Sequence, residues 1–466
     1  MVRQSLAALA LAALTLGAQT VDRTKPPQTP PIPNFKLPPV FETKLPNGLN
    51  VSVVEDARFP LVSVRLNFQA GSKFDPADIP GLSEATAALI TEGTKTRASR
   101  QISEEIDSIG GTLNGTSGPD ALTVSGNALS ESLTKLLTLV ADVSLNANFP
   151  ADEVQLYQQN RVQGLRAQRS EPGYLADEAV SDTLYGTSPY AHIAPTEASI
   201  AKFDPKVLAN FRDTHLIPNN ATLLLIGKLP PRDELMKLIT AEFGAWKEKP
   251  VPAAPKMDFP APKKQIILVD RPGSVQADIH IARLAPTRTS PDYFPLLVGN
   301  LVLGGGTNSR MFKNIREKEG FAYDAHSEYG VKRESGDFQA VTQVRNDVVE
   351  PAMKAVLAEL QGMAAAPVPA DELTSVKNFR AGTYVLSMET QAGVIGQLSN
   401  MKTLGLPNTF LETYVTRVRS VEPPQLQAVA KKYILPDESA IVVVGDAKVI
   451  GDILKKFGTV TVTKVK

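Results

Sequence analysis

The sequence predicts an α+β protein made of two tandem copies of one unit. Two observations carry this. First, short blocks recur in order at nearly one spacing: Asp204-Pro205, Leu208, Pro218 and Gly227 are echoed 218 residues later by Glu422-Pro423, Leu426, Pro436 and Gly445. Gly93-Thr94, Arg97, Ile102 and Glu104 are echoed 213 residues later by Gly306-Thr307, Arg310, Ile315 and Glu317. Either block alone could arise by chance; both in sequence argue for duplication. Second, strand-like alternation and helix-like periodicity alternate within the first copy. Hydrophobic residues make up 42% and charged residues 21% of the 466-residue chain, enough apolar material for real cores.

Composition also excludes. Net charge is zero and no basic block stands out, so nothing points to nucleic acid. There is no cysteine, which removes disulfides, thiol catalysis and Cys-ligated metals. The four histidines (His192, His215, His280 and His326) show no i, i+4 pair, so a histidine-rich metal site on one helix is not expected. His192 and His215 are read as structural, helping to satisfy local backbone groups.

Taken in order, residues 1–18 read as a secretory signal: Arg3, an Ala/Leu run from Leu6 to Leu16, then Gly17-Ala18. That run is too short for a stable membrane span, so the expectation is an exported soluble protein, in the bacterial periplasm. Residues 19–40 form a proline-rich extended leader. Folded structure is expected from Phe41, with Asn47-Gly48 turning a hairpin between Phe41-Leu45 and Leu49-Val54. Val62, Val64, Leu66 and Phe68 alternate as one face of a strand. A helix follows from Gly81, its buried face marked by Leu82, Ala85, Thr86, Leu89 and Ile90. Further helices are expected over Gln101–Ile109, Leu133–Leu145, Ala151–Arg169, Leu175–Leu184 and Pro205–His215. Strands are expected over Ala121–Leu129 and Thr222–Gly227. Residues 246–264 hold five prolines and read as the linker between a domain at 41–245 and a second at 265–466.

The Gly81–Thr94 stretch resembles the zinc-site helix of the M16 family (pitrilysin, insulinase and the mitochondrial processing peptidase). There an inverted His-x-x-Glu-His lies between a Gly-Leu start and a Glu-Gly-Thr end. Laid on this chain, the first His becomes Glu84, the catalytic Glu becomes Ala87 and the second His becomes Ala88. The family's third ligand, a Glu about 76 residues on, falls on Gly164. Alanine and glycine bring no lone pair to a metal and no base to a water. Glu84 is left as a lone carboxylate at a helix start, expected to be solvated. A second passage, Leu303-Gly304-Gly305-Gly306-Thr307-Asn308-Ser309-Arg310-Met311-Phe312 and on to Ile315-Arg316-Glu317-Lys318-Glu319-Gly320-Phe321-Ala322-Tyr323, resembles the family's C-terminal signature. The family's substrate-gripping Arg/Tyr pair falls on Arg316 and Tyr323.

The resemblance covers Phe41 to about Phe457 and implies two processing-peptidase-like (LuxS/metallohydrolase-type) domains. It also implies a non-catalytic chain that binds no metal or other cofactor itself. Its partner in a heterodimer would be an M16 subunit with an intact zinc motif, and its ligand a peptide substrate held by Arg316 and Tyr323. The alternative is a structural or binding scaffold with the same fold and no proteolytic role.

Overall fold

Twelve strands fall into two six-stranded sheets in a computed structural model that describes residues 36–465. The expected signal and the leader up to residue 35 lie outside the described residues. The first sheet contains β1 (Val40–Lys44), β2 (Asn50–Glu55), β3 (Leu61–Phe68), β4 (Thr112–Ser117), β5 (Leu122–Leu129) and β6 (Ala221–Gly227), in the order β1-β2-β6-β3-β5-β4. The second contains β7 (Gln265–Asp270), β8 (Gln276–Ala285), β9 (Ala322–Val331), β10 (Gly336–Arg345), β11 (Ala440–Gly445) and β12 (Val460–Lys464), in the order β12-β7-β11-β8-β10-β9.

Set aside β1 and β12 and the two sheets have one topology. β2-β6-β3-β5-β4 corresponds to β7-β11-β8-β10-β9, with one parallel contact, β2·β6 or β7·β11, and three antiparallel ones. The duplication read from the spacing of short blocks is therefore a duplication of fold. The outermost strands differ: β1 runs antiparallel to β2, whereas β12 runs parallel to β7.

Local chemistry explains the elements. In β3, Val62, Val64, Leu66 and Phe68 are fully buried on one face, while Ser63, Arg65 and Asn67 take the other. The central strands β6 and β11 are covered on both sides and read as continuous apolar runs. At the β1–β2 hairpin Gly48 adopts φ +87°, a conformation that glycine takes without strain. Asn47 donates from Nδ2 to the carbonyls of Phe243 and Trp246, at 2.7 and 2.9 Å, pinning the end of the helix Arg232–Phe243.

The helices do not stay with their own sheets. The helix Pro172–Tyr185, from the first half, lays Leu175, Ala176, Val180 and Leu184 on Val269, Ala282, Val442 and Val444 of the second sheet. Reciprocally, the helix Gln391–Thr403 of the second half covers β3 and β6. There Ser399 Oγ accepts from Asn67 Nδ2 at 2.7 Å, and Gln391 Nε2 donates to the Asp56 carbonyl at 3.0 Å. The stretch 246–264 has no regular structure, and Met257 and Phe259 within it pack on the second-sheet core.

A buried polar seam ties the β4–β5 turn to the β9–β10 turn. Asp120 takes Lys73 Nζ at 3.0 Å, the Tyr190 hydroxyl, and the backbone N–H of Arg333 at 2.8 Å. Beside it Asp337 accepts from the Tyr185 hydroxyl at 2.7 Å and from Lys332 Nζ at 2.9 Å. Each buried charge here has its counter-charge, as burial demands.

Candidate functional site

The Gly81 helix forms as its sequence suggests, over Leu82–Leu89. Gly81 sits at φ +89°, and Asp75 caps the helix with both oxygens, accepting the backbone N–H groups of Gly81 and Ser83 at 2.8 Å each. Burial is the main cause that lifts the Asp75 carboxyl to about 6; the two backbone donors oppose it, and the charge of Glu84 adds to it. The helix lies hard against β4: a Cβ on Gly115 would come within 2.2 Å of the Ala87 carbonyl oxygen. Ala87 is buried and Ala88 is exposed.

Glu84 keeps more than a third of its side chain in water, but it is also ion-paired, which the sequence does not foretell. Arg161, on the helix Ala151–Ser170, donates from Nε to Glu84 Oε1 at 2.8 Å and from Nη1 to Gln168 Oε1 at 3.0 Å. The Arg161 side chain is only 14% exposed, so this guanidinium is held in place. Gly164 lies one turn further along the same helix, and a Cβ added there would meet nothing within 4 Å. The third ligand position is therefore empty space, not space refilled by another side chain. Beside the pair, the hydroxyls of Tyr157 and Tyr174 are buried without a hydrogen-bond partner. Burial first, then the negative charge of Glu84, drives the Tyr157 phenol pKa upward.

These residues do not fit a zinc ion. One of four motif positions carries a lone pair, and that carboxylate faces a cation that would repel a dication. Among the described residues no group of three His, Cys, Asp or Glu side chains is arranged to hold a metal. A cavity of about 300 Å³ opens at the start of the helix, where Asp75, Ser83 and Glu84 meet Tyr190, His192 and Lys332. His215 is structural by ring packing: it lies tilted against the rings of Phe211 and Phe74, and burial lowers its pKa. Its Nδ1 has no partner, so the backbone-satisfying role expected of it is not what the ring does there.

Arg316 and Tyr323 come together in the second half. Arg316 stands on a π-helical stretch, Phe312–Lys318, with its guanidinium 4.5 Å from the Phe312 ring centroid and 4.7 Å from that of Tyr323. Among the described residues it has no carboxylate partner within ion-pairing distance. Tyr323 is 85% exposed, which is unusual for a large aromatic side chain. A bulge explains its direction. Ala322 pairs with Val344 and Ala325 with Thr342, so β9 carries one residue more than β10 at Tyr323-Asp324. The preceding glycine turn fits closely against this strand: Gly304 accepts Ser327 N–H at 3.1 Å, and a Cβ on Gly304 would fall 2.1 Å from that nitrogen.

Next to Tyr323 lies a cavity of about 550 Å³ whose wall includes Asp278, Asp324, His326 and Gln343. His326 stands between two carboxylates, Nδ1 2.7 Å from Asp324 and Nε2 3.3 Å from Glu328. The Glu328 contact, ahead of the opposing effect of burial, raises its pKa. Sequence reasoning passed over this trio, although Asp324, His326 and Glu328 alternate along one strand face. Arg161 gave no such sign; it lies 77 residues from Glu84.

Residues 51–195 match the family model of the insulinase-type M16 peptidases, and residues 202–379 match the model of the M16 inactive domain. The chain belongs to the M16 peptidase family. Among M16 relatives, an uncharacterised zinc protease of Rickettsia felis is 26% identical over 69% of this chain and 77% of its own. The uncharacterised zinc protease YmxG of Bacillus subtilis is 20% identical, over 84% of this chain and 95% of its own. A crystal structure of a peptidase M16 inactive domain from Pseudomonas fluorescens superposes with a TM-score of 0.82 at 28% identity, covering 87% of this chain and 98% of that one. A protease from Helicobacter pylori shares the fold, with a TM-score of 0.81 at 19% identity, over 88% and 100% of the two chains.

Proposed function

We propose that this M16 chain is the non-catalytic, substrate-holding subunit of an exported zinc metallopeptidase whose partner subunit carries the zinc site. The observation that carries the reading is a contrast within one chain. The four zinc-motif positions hold Glu84, Ala87, Ala88 and Gly164, whereas a half-buried Arg316 lies against the exposed Tyr323 ring and, among the described residues, is unpaired with any carboxylate. The N-terminal Arg3 and the Leu6–Leu16 run support export to a bacterial periplasm.

In that role the partner's zinc supplies an activated water and polarises the scissile carbonyl. Arg316 acts as a donor. Its guanidinium rests on two aromatic rings, so its N–H groups remain free for a peptide carbonyl. The Tyr323 hydroxyl, turned outward by the bulge, adds a second donor to the same oxygen as charge builds on it. Ala87 itself offers no general base.

A scaffold without any proteolytic role is the second reading. The Glu84–Arg161 pair favours it, because it keeps two helices joined where the family uses a metal. Purification of the tagged protein from its native envelope decides between them. An equimolar partner bearing His-x-x-Glu-His, with turnover that falls in Arg316→Ala while assembly persists, supports the peptidase subunit. A protein that comes out alone, or turnover indifferent to Arg316→Ala, leaves the scaffold.

A further inference from the structure

We propose that Arg65, on the polar face of the first sheet, takes the carboxylate of an acidic peptide side chain, Asp or Glu. The inference rests on the proposed function for the presence of a peptide and adds which side chain the first half selects.

Arg65 stands in the middle of β3, on the face opposite to the buried Val64 and Leu66. Its side chain is half-buried, yet among the described residues no carboxylate lies within ion-pairing distance and no hydrogen bond engages the guanidinium. Burial pulls its pKa down, and no neighbouring charge opposes that pull. Glu42 on β1 is taken by Lys402 at 2.6 Å, and Asp56, just past β2, by Arg58 at 2.7 Å. A guanidinium does not shed its proton to escape the cost of burial, so the charge calls for a counter-charge from outside the chain.

The internal repeat makes the gap plain. Leu224 of β6 and Val442 of β11 are 218 residues apart, the spacing of the duplication, and Arg65 and His280 stand across from them in register. His280 has its own carboxylate, Asp278, at 3.0 Å and two residues earlier on the same strand. The matching position on β3 holds Ser63, which carries no charge.

The surroundings fit a carboxylate. Register sets Ser125 of β5 opposite Arg65 and Asn114 of β4 beyond it. Ser125 donates its hydroxyl to Asn114 Oδ1, and the Asn114 amide nitrogen has no acceptor among the described residues. The other side chains of β5 and β4 on this face are hydroxyls and amides, with no acid to repel an anion. The helix Gln391–Thr403 covers β3 and β6 and meets the guanidinium at a glycine. A Cβ on Gly396 would lie 3.8 Å from Nη1 and 3.9 Å from Nη2. That helix closes one side of the arginine, while the exposed Asn114 and Asn127 mark the side left open. A guanidinium fork grips a carboxylate through two parallel hydrogen bonds, which a neutral amide cannot match.

The test uses the full chain without a partner and a fluorescein-labelled decapeptide of Ala, Ser and Thr with two Glu, followed by anisotropy at low salt. A twin peptide with Gln in place of Glu is expected to bind about tenfold more weakly. Arg65→Gln should bring the two peptides within about twofold of each other, and Arg65→Lys should restore only part of the difference. Arg100→Gln, which removes the same charge from an exposed helix position, should leave the preference unchanged. The urea midpoint of Arg65→Gln should not fall, because no contact inside the chain is lost.

Equal affinity of the unaltered protein for the Glu and Gln peptides overturns the proposal, as does a Glu preference that survives Arg65→Gln. A preference abolished by dilute acetate at constant ionic strength assigns the site to free small anions and overturns the peptide as occupant. Charge-blind binding combined with loss of turnover in Arg316→Ala removes this inference alone. An Arg65-dependent Glu preference with turnover indifferent to Arg316→Ala removes the proposed function and leaves the carboxylate site standing.

Discussion

The two sheets share a strand order and differ in what they show on their polar faces. On the first, register brings together Ser63 with Asn127, Arg65 with Ser125 and Asn67 with Thr123, and β4 continues the row with Thr112, Asn114 and Thr116. Hydroxyls and amides dominate, and Arg65 is the single charge among them. On the second, Asp278 pairs with Gln343, Gln339 with Glu328, and Val341 with both His280 and His326. The zinc-motif positions of the first half hold Glu84, Ala87, Ala88 and Gly164, while in the second a half-buried Arg316 lies against the exposed Tyr323. Fold and chemistry thus sit on different residues. The buried alternation of Val62, Val64, Leu66 and Phe68 holds the sheet whatever stands on the opposite face.

The comparison breaks most severely at the seam that joins the halves. Asp120→Ala strands the buried Lys73 ammonium and is expected to cost about 3–5 kcal/mol, read as a lower urea midpoint. Replacing Lys73 as well with an apolar residue should recover only the part due to the stranded ammonium, because the Tyr190 hydroxyl and the Arg333 N–H still lose their acceptor. Next in size is Arg316→Ala, expected to lower kcat of the reconstituted pair about 10²-fold with little change in KM. An intact kcat would make the two halves alike in being chemically silent.

The comparison is sharpened by rebuilding what the first half lacks. Glu84→His, Ala87→Glu, Ala88→His and Gly164→Glu, combined with Arg161→Ala, should bind zinc at one equivalent by elemental analysis. The same set with Arg161 retained should bind far less, because the guanidinium remains where the metal's charge would act. Metal uptake indifferent to Arg161 would show that the missing ligands are the whole difference.

A pH effect is smaller. Asp75 rises from its ordinary 3.8 to about 6 in the fold, so the folded chain binds this proton more tightly than the unfolded one. Its contribution to stability is complete below about pH 4 and is lost as pH climbs through 6. Asp75→Asn should flatten the stability profile in that window, measured by urea unfolding at a series of pH values. Arg161→Ala alone is expected to cost under about 1 kcal/mol, because the Glu84 carboxylate is well exposed and water takes over its solvation.

Much of the first sheet was legible because its strands carry their own evidence. β3 alternates, β6 is continuously apolar and Asn47-Gly48 names its turn. β4 was missed because Thr-Leu-Asn-Gly-Thr-Ser is an edge strand with one apolar side chain and no rhythm to read. The helix Arg232–Phe243 was missed too, although Leu235, Ile239 and Phe243 do mark its buried face. Of the candidate site, the nearness of Arg316 and Tyr323 was legible through their surrounding signature, and the Gly81 helix through its glycine start and apolar face. The Glu84–Arg161 pair was not, because a contact between residues on separate helices leaves no local trace. Nor was the bulge at Tyr323-Asp324, which exists only in the comparison of two strands. The exchange of helices was hidden for the same reason: Leu175 and Val180 announce an apolar face, and nothing near them says whose sheet it covers.

That exchange has a consequence for how such a chain can change over time. The half without ligands is not a disposable remnant, because its helix Pro172–Tyr185 is part of the wall of the other half. A deletion that trimmed away the silent portion would strip the second sheet of Leu175, Val180 and Leu184 and leave its apolar surface bare to water. Point mutations can erase chemistry one side chain at a time, whereas loss of the whole unit is barred by its neighbour's need for cover. A gene of this design can fall silent at one centre and still be held to its full length.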